Sequence, residues 1–410
     1  MHVATVNYYY DRPIRSADDL LDRYATLVDW ADGLAHAGAR VTVVQRFSRD
    51  AEIERDGVRY VFVRDTATRF GSIADKADRM NETVARTLPD IVHVHGLMFA
   101  RQAQQLKRFN AGTPILIQDH ADRPPVRPWA RMGMRAALRS CNALSFSARD
   151  LAQPWFDAGL AAPAMPVFEL MEGSSRFRLR GRSEARAATG YRGDPVCLWV
   201  GRLNANKDPL TVLRGFAAAL ARLPGAHLLM AYGEADLLVD VRAWLAANPT
   251  AASRVTLLGR LPHADLEAVY NSADFLLLGS HHESAGYAVI EALSCGVVPI
   301  VTDIPSFRRL VDEGRCGGLW PVGDARTMAD TLVRWAARLT PATPQATRAH
   351  FDCRWSVDAL GRSAMDAYAQ LGRSAMDAYA ALGQSAGNAY AALGQSAGNA
   401  CAALERQELS

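Results

Sequence analysis

Short apolar runs alternate with amphipathic stretches in the first part of the chain. The runs are HVATV, RVTVV, VRYVFV, DIVHVHG, PILIQ and ALSFS, and the last of them ends at residue 147. Helical spacing of apolar positions lies between some of these runs, at 17–37 and at 72–87. Buried runs of strand length that are separated by helices are typical of a parallel sheet with crossover helices. The pattern therefore predicts a doubly wound α/β domain.

A second series of the same kind follows. Its runs are VCLWVG, HLLMAYG, RVTLLG, ADFLLLGS and VVPIVT, and the first of them begins at residue 196. The segment 161–194 has scattered Pro, Gly and Arg and weak periodicity, which predicts a connector. Because open parallel sheets bind ligands beyond the carboxyl ends of their strands, two such domains in tandem enclose a cleft.

The chain of 410 residues has room for two domains and additional segments. We predict an N-terminal Rossmann-like domain over 1–175, a linker over 176–191 and a C-terminal Rossmann-like domain over 192–345. A helix over 346–370 then packs back on the N-terminal domain, and 371–410 form a tail.

The chain repeats every eleven residues from Leu360, as LGRSAMDAYAQ, LGRSAMDAYAA, LGQSAGNAYAA and LGQSAGNACAA. Eleven residues are three helical turns of 3.67 residues, so the repeated leucines form one slowly drifting stripe on a helix. Each repeat also carries a glycine, which weakens a helix by about 1 kcal/mol. The repeats are either a helix for self-association or an expanded, dispensable tail, and we favour the tail.

Composition narrows the class of protein. The 46 basic and 43 acidic side chains nearly cancel, which argues against a nucleic-acid partner. The start MHVATVNYYY is unlike a signal peptide, and no stretch has the roughly 20 apolar residues that a membrane span needs, so we expect a cytoplasmic protein. The six cysteines are far apart and form no Cys-x-x-Cys pair, which predicts buried free thiols and no metal or redox site.

The segment HHESAGYAVIEALSCGVVPIV runs from the end of one predicted strand through a helix into the next. It places Glu283 in the loop and Glu291 on the helix, and Gly286 allows close backbone approach where the helix begins. Unpaired N–H groups at a helix start favour an anionic ligand such as a diphosphate. The spacing of the two glutamates alone also occurs by chance on exposed helices.

The segment LWVGRLNANKDPLTVLRGF ends a strand at Gly201 and continues with Arg202, a loop, Lys207 and a helix. Two cations at a strand-to-helix turn suit a pair of phosphates, because Arg offers a planar fork and Lys a point charge. The segment is not a P-loop, since the pattern Gly-x-x-x-x-Gly-Lys-Ser/Thr is absent. Without further context, such cations are more often merely solvated.

Taken together, the two segments resemble the family 4 glycosyltransferases of the GT-B fold, which are retaining nucleotide-sugar transferases. The resemblance spans about 1–370. The resemblance implies that Arg202 and Lys207 hold the donor diphosphate, Glu283 contacts the transferred sugar and Glu291 binds the ribose. It also implies that no metal or other cofactor is needed. The first domain then serves the acceptor and the second holds the nucleotide sugar.

Further site residues follow from the same resemblance. The histidine of PILIQDHAD, His120, is implied to face the donor sugar as a neutral ring. The remaining implied donor contacts are the backbone at Ala285, Gly286 and Tyr287, the turn at Gly201, and a base pocket at Arg260 and Leu261. His93 and His95 lie on one side of a strand and mimic a metal site, but the family has no need of one.

Two segments depart from the family pattern, and a third lies outside it. NYYYDRPIRSADD stands where the family has a Gly-Gly turn after the first strand, which puts acceptor chemistry in doubt, and YGEAD keeps only Gly233 of a usual Gly-x-Gly. In 123–139, arginines recur every four residues at Arg127, Arg131, Arg135 and Arg139, beside Trp129 and Met132. This helix is either a surface for anionic lipid or a phosphorylated acceptor, or a solvated face whose apolar side packs on its own sheet.

The sequence thus predicts a transferase of the hexosyltransferase type that moves a sugar from a nucleotide diphosphate sugar to a hydroxyl of unknown identity. The interpretation of 123–139 as a binding surface would give a lipid-linked or phosphorylated acceptor and contact with the inner membrane face. The interpretation of 123–139 as a solvated helix face leaves the acceptor open and the protein in the cytoplasm. Alternatives are a GT-B sugar phosphorylase, a sugar-nucleotide epimerase, or a catalytically impaired protein that only binds nucleotide sugar. An interaction protein acting through the repeats would lose function on deletion after about residue 371, which we expect to be tolerated.

Overall fold

The computed structural model describes residues 1–65 and 77–374 of the chain. Its first sheet has eight strands in the spatial order β3-β4-β2-β1-β5-β6-β7-β8, all parallel to their neighbours except in the β3–β4 hairpin. The strands are β1 (His2–Asn7), β2 (Arg40–Phe47), β3 (Ala51–Arg55), β4 (Val58–Arg64), β5 (Ile91–His95), β6 (Ile115–Gln118), β7 (Ala143–Phe146) and β8 (Val167–Glu169).

The helices of this first domain cover the faces of the sheet. They are α1 (Ala17–Arg23), α2 (Ala25–His36), α3 (Asp78–Arg86), α4 (Ala100–Leu106), α5 (Pro128–Leu138) and α6 (Gln153–Asp157), with 3-10 turns at Leu97–Phe99 and Arg149–Ala152. The single helix expected at 17–37 is split at Tyr24, whose backbone is not helical and whose hydroxyl donates to Asp11 at 2.7 Å. Of the helix expected at 72–87, only the part from residue 77 lies within the described residues.

The second sheet has six parallel strands in the order β11-β10-β9-β12-β13-β14. They are β9 (Val196–Gly201), β10 (His227–Tyr232), β11 (Val255–Gly259), β12 (Phe275–Leu278), β13 (Val298–Thr302) and β14 (Gly318–Trp320). The central strands are buried and apolar along their length, as expected when helices cover both faces of a parallel sheet. The prediction of two doubly wound domains is therefore confirmed.

The helices of the second domain begin inside the segment predicted as a connector. The series is α7 (Arg182–Thr189), α8 (Pro209–Ala219), α9 (Leu238–Ala247), α10 (Pro249–Ala252), α11 (His263–Ser272), α12 (Tyr287–Ser294), α13 (Pro305–Leu310), α14 (Ala325–Ala336) and α15 (Thr343–Arg354). The stretch 161–194 thus carries both β8 and α7, two short elements whose patterns are too brief to stand out in the sequence.

A last described helix, α16, covers 357–374 and packs on the first domain. Its Tyr368 hydroxyl lies 2.6 Å from Nδ1 of His93, and Leu360 and Leu371 are buried. Gly361 meets Gly33 of α2 so closely that a Cβ at residue 361 would lie 1.8 Å from the Gly33 carbonyl oxygen. The first eleven-residue repeat is therefore part of the folded body, and the repeats after residue 374 lie outside the described residues.

Five cysteines lie in the described part of the chain, and none of them forms a disulfide there. Cys141, Cys197 and Cys295 are buried as predicted, whereas Cys316 is half-buried and Cys353 is exposed. Cys353 corrects the expectation of buried thiols, because it lies on α15 at a position that faces away from the core. Within residues 1–65 and 77–374, no helix combines the length and the apolar character that crossing a bilayer requires.

Candidate active site between the two sheets

Each sheet has one place where the strand order reverses, between β1 and β5 in the first and between β9 and β12 in the second. Loops that leave the two strands at such a reversal diverge to opposite faces and open a crevice at the carboxyl edge, where open α/β sheets bind ligands. Gly201 is the last residue of β9, Lys207 lies in the loop after it, and Glu283 lies in the loop after β12. The residues selected from the sequence therefore lie at the reversal of the second sheet.

Lys207 and Glu283 contact each other directly, with Nζ against Oε1. Their side chains are only 15% and 13% exposed. The two loops are also joined through the backbone, because the N–H of His281 donates to the carbonyl of Asn206 at 2.8 Å. The ammonium group of Lys207 has three N–H donors, and those that Glu283 does not use are available to an anion in the crevice.

Gly201 and Arg202 flank this pair differently. A Cβ on Gly201 would lie 3.3 Å from the Trp199 ring and 3.7 Å from Cδ of Lys207, so the glycine at the end of β9 is packed against both side chains. Arg202 is 57% exposed, and its Nη1 lies 3.7 Å from Oε2 of the exposed Glu234. An exposed ion pair at this distance contributes little free energy, so the guanidinium is easily recruited by an anion.

Glu291 lies on α12 with both carboxylate oxygens engaged. The hydroxyl of Tyr270 donates to Oε2 at 2.9 Å, and His263 Nε2 lies 2.8 Å from Oε1. The hydrogen bond to Glu291 raises the pKa of His263. A ribose that binds Glu291 would share these oxygens with Tyr270 and His263, both of α11. Arg260 and Leu261 lie between β11 and α11, with Arg260 exposed and Leu261 half-buried.

The start of α12 is built on Gly286, whose φ of +69° places it in the left-handed region. A Cβ there would lie 2.9 Å from the Phe307 ring, so both the conformation and the packing require glycine. Ala285 before it is buried. Tyr287 after it hydrogen-bonds Thr26 of the first domain, and burial raises the pKa of its hydroxyl. The helix start is thus held against the opposite wall of the crevice.

His120 reaches the crevice from the first domain, two residues after β6. Its Nε2 lies 3.1 Å from Nδ1 of His95, and its Nδ1 lies 3.4 Å from Oε2 of Glu172. Desolvation lowers the pKa of His120 to about 4, although about a third of the side chain still faces open space. Burial also holds the pKa of His95 well below its usual range. Both imidazoles are therefore neutral near pH 7.

Glu172 is a buried carboxyl group that sequence reasoning missed. It lies in the connector after β8, and its Oε1 accepts a hydrogen bond from Ser284, the neighbour of Glu283. The hydroxyl of Ser284 also lies 3.4 Å from Oδ2 of Asp119. Burial raises the pKa of Glu172 to about 8 and that of Asp119 to about 7, and nearby carboxylates add to both shifts. The segment MEGSSRF around Glu172 has no periodicity that would have singled it out.

Hydrogen bonds hold the two domains together beside this carboxyl group. Ser147 of the first domain donates to the carbonyl of Ser284, and Arg309 of the second donates to the carbonyls of Ser147 and Glu169. His120, Glu172, Ser284 and the Lys207–Glu283 pair therefore form one continuous group across the interdomain crevice.

A cavity of about 340 Å³ opens beside Glu172 at the strand reversal of the first sheet. A volume of this size suits a sugar-sized ligand. Asn7, at the end of β1, and His95, at the end of β5, line this cavity. The side chains of His120 and Glu172 also line it, together with Tyr9 and Gly96.

His93 and His95 do not form a metal site with their neighbours. Their rings stack at 4.5 Å, His93 is hydrogen-bonded to Tyr368, and burial lowers the pKa of His93 to about 3. Across residues 1–65 and 77–374, no group of three or more His, Cys, Asp and Glu side chains is arranged to hold a metal ion.

Family models match both halves of the chain. The model described as Glycosyltransferase Family 4 matches residues 25–161, and the model described as Glycosyl transferases group 1 matches residues 194–338. The chain belongs to the family 4 glycosyltransferases. The first match covers the domain with the cavity, and the second covers the domain with Lys207 and Glu283.

The curated relatives of this family 4 chain have low sequence identity to it, and each match covers only part of both proteins. The GDP-mannose:cellobiosyl-diphosphopolyprenol alpha-mannosyltransferase of Xanthomonas oryzae pv. oryzae is 28% identical over 230 residues, which are 56% of this chain and 60% of that protein. The D-inositol 3-phosphate glycosyltransferase of Saccharomonospora viridis is 32% identical over 213 residues, 47% of this chain and 48% of that protein. The matches thus span 60% and 48% of the lengths of these two curated relatives.

Solved structures support the fold. The Anabaena HepE protein, solved in complex with UDP, superposes with a TM-score of 0.63 at 14% identity and covers 90% of this chain and 100% of its own. The GT-B arrangement of two Rossmann-like domains is therefore the fold of this chain.

Proposed function

We propose that this protein transfers a sugar from a nucleotide diphosphate sugar to a hydroxyl of a lipid-linked acceptor at the cytoplasmic face of a membrane. Transfer retains the anomeric configuration and needs no metal ion. The observation that carries the proposal is the contact of Lys207 with Glu283 at the strand reversal of the second sheet, facing the crevice between the domains.

Transfer from a nucleotide diphosphate sugar separates charge, because the anomeric carbon becomes cationic while the diphosphate gains negative charge. Fixed cations and N–H dipoles aimed at the diphosphate lower that barrier. Lys207 and Arg202 supply the cations, and the start of α12 at Gly286 supplies backbone N–H groups. Glu283, held by Lys207, faces the transferred sugar. In this proposal the protein alone supplies the leaving-group stabilisation that a divalent ion supplies elsewhere.

Two features support a lipid-linked acceptor. The Xanthomonas relative is named for an acceptor carried on diphosphopolyprenol. In this chain, a second cavity of about 250 Å³ lies beside the first and shares Met98 and Asp122 with it. Arg101 and Arg123 line this second cavity. Two guanidinium groups there suit the diphosphate of a lipid carrier.

Helix α5 lines this second cavity with Ala130 and Met134, and its exposed side chains support contact with a membrane. Trp129 and Met132 are 57% and 73% exposed and do not pack on the sheet, and Val126 before the helix is also exposed. Arg127, Arg135 and Arg139 are exposed around them. Exposed apolar side chains among arginines favour an anionic lipid surface, which the apolar groups enter while the cations meet the headgroups.

Thermal-shift measurements with UDP, GDP and ADP and their sugars test the donor site. We expect one nucleoside diphosphate to raise the melting temperature, and the Lys207→Ala variant to lose most of that shift. The exposed Arg222 of the same domain provides a control, and Arg222→Ala should keep the shift. A wild-type protein that none of these nucleotides stabilises would contradict the proposal.

Product analysis separates transfer from the alternatives. Incubation with the stabilising nucleotide sugar and a short-chain diphosphoprenyl disaccharide should give a longer glycolipid and free nucleoside diphosphate. A sugar phosphate formed only when inorganic phosphate is added would indicate a phosphorylase. An epimerised nucleotide sugar would indicate an epimerase, and binding without turnover would indicate a protein that only binds the donor.

A further inference from the structure

The cavity at the strand reversal of the first sheet combines apolar rings with carboxyl groups. Tyr24 and Phe99 contribute rings to its lining, and the Tyr9 ring meets that of Tyr24 edge-on at 6.1 Å between centroids. Glu172 and Asp122 contribute carboxyl groups. Apolar walls with a few placed polar groups are the usual construction of a small-molecule site.

The two carboxyl groups are fixed in position. Asp122 Oδ2 accepts from the backbone N–H of Leu97 at 2.6 Å, and Glu172 Oε1 accepts from Ser284. Oε2 of Glu172 lies 3.4 Å from Nδ1 of His120, and His120 also lines the cavity. A carboxyl oxygen accepts more than one hydrogen bond, so Glu172 retains capacity for a ligand.

The charge of this lining discriminates between ligands. A phosphate placed between Glu172 and Asp122 would find no cation to balance its charge, whereas sugar hydroxyls would meet hydrogen-bonding carboxyl groups. Among the described residues that line this cavity there is no Lys or Arg, and Arg101 and Arg123 instead line the neighbouring cavity.

We propose that this cavity binds the acceptor through an uncharged, unphosphorylated sugar ring, and that Glu172 is the residue that engages the hydroxyl nearest the donor site. The inference rests on the proposed transfer and specifies its substrate class. The position of Glu172 supports it, since the same carboxyl group borders the cavity and contacts Ser284, the neighbour of Glu283.

The protonation of Glu172 suits this role. With its pKa raised to about 8, the carboxyl group is largely neutral at pH 7 and both donates and accepts a hydrogen bond. A hydroxyl group likewise donates and accepts. A permanently ionised carboxylate would only accept, so the buried acid matches a hydroxyl in either orientation.

Saturation-transfer NMR on the full chain without donor tests the inference with cellobiose, glucose and glucose 6-phosphate as probes. We expect cellobiose to bind and glucose 6-phosphate to bind at least tenfold more weakly than glucose. Glu172→Ala should weaken cellobiose binding about tenfold or more, and Glu172→Gln, which keeps a hydrogen-bonding side chain, should recover most of it. Glu184→Gln, on exposed α7, should bind like the wild type.

The outcomes separate this inference from the proposed transfer. Equal or tighter binding of glucose 6-phosphate than of glucose, or unchanged cellobiose binding in Glu172→Ala, would overturn it. Thermal melting of each variant shows that it is folded. A wild-type protein that binds cellobiose through Glu172 but turns over no nucleotide sugar would contradict the transfer and still support the sugar cavity.

Discussion

Lys207 and Glu283 contact each other although they leave different strands and are separated by 76 positions in the sequence. Because β9 and β12 are hydrogen-bonded neighbours at the strand reversal, their following loops emerge side by side. The pair therefore joins the segment LWVGRLNANK to the segment HHESAGYAV at the point where an open α/β sheet binds ligands.

Substitution of the two cations is expected to remove transfer and leave the fold intact. In the proposed mechanism, Lys207→Ala and Arg202→Ala each remove charge that balances the departing diphosphate, and loss of one such stabilising group typically lowers kcat by about 100- to 1,000-fold. Steady-state turnover with the stabilising nucleotide sugar measures the loss, and thermal melting reports the fold. Near-normal turnover in both variants would contradict the proposed mechanism.

A matched substitution distinguishes this effect from a general loss of positive charge. Arg222 is exposed on the same domain, and its guanidinium donates to Oδ1 of the exposed Asp330 at 2.7 Å. Because exposed ion pairs contribute little, Arg222→Ala should keep turnover within about twofold of the wild type.

Much of the second domain could be predicted from the sequence, because its strands are continuous apolar runs. The end of each run locates the ligand edge of the sheet, so Gly201, Lys207 and Glu283 could be assigned to one crevice before their contacts were known. The roles of Arg202 and Glu291 toward a donor remain predictions. In the structure Arg202 lies beside Glu234, and Glu291 is hydrogen-bonded to Tyr270 and His263.

The site on the first domain was less predictable for physical reasons. Glu172 follows β8, a strand of only three residues, and its environment comes from elements distant in sequence, including Ser284 at a separation of 112. No local pattern encodes such an environment. β3 was missed because charged residues alternate along AEIER at the sheet edge, and edge strands lack the continuous apolar run of a central strand.

Glu172→Gln is expected to stabilise the protein as the pH rises. Burial raises the pKa of Glu172 from the usual 4.5 to about 8, so the unfolded chain ionises first and folding is penalised increasingly between these two values. Glutamine carries no such penalty. The melting temperature of the variant should therefore match that of the wild type near pH 5 and exceed it by an increasing margin up to about pH 8.

The wild type and the Glu172→Gln variant share the other titratable groups that face residue 172. They are Asp119, Asp122, Glu283, His120 and Tyr287. Their own titration affects both melting curves, so the difference between the curves isolates Glu172. A shift of this size corresponds to a few kcal/mol, at about 1.4 kcal/mol per unit of pKa. A variant that is less stable than the wild type at pH 8 would contradict the prediction.

Binding to anionic vesicles is expected to depend on the exposed side chains of α5. Replacing Trp129 and Met132 by Ser removes apolar groups that are free to enter a lipid surface, and Arg135→Glu with Arg139→Glu reverses the local charge. Both changes should reduce co-sedimentation with vesicles that contain phosphatidylglycerol. The wild type should bind more weakly at high salt, because salt screens the arginines.

A substitution elsewhere provides the control for the apolar part. Val239, on α9 of the second domain, is 78% exposed, and Val239→Ser should leave vesicle binding unchanged. Equal binding of the wild type and the Trp129, Met132 variant would contradict a role for α5 at the membrane.

Two glycines at the same position of consecutive repeats are expected to respond in opposite ways to alanine. Gly361 and Gly372 both lie on α16, but a Cβ at residue 361 would lie 1.8 Å from the backbone of Gly33, whereas a Cβ at residue 372 would meet nothing within 4 Å. Gly361→Ala must push α16 away from α2, and such overpacking costs about 1–3 kcal/mol. Gly372→Ala only improves helix propensity, by up to about 1 kcal/mol.

Urea or thermal unfolding of the two variants measures this difference directly. Gly361→Ala should lower the free energy of unfolding, and Gly372→Ala should leave it unchanged or raise it. Because the two positions share their flanking residues, Leu before and Arg-Ser after, local sequence cannot explain opposite signs. Equal effects of both substitutions would show that the contact between Gly33 and Gly361 does not anchor the first repeat to the folded body.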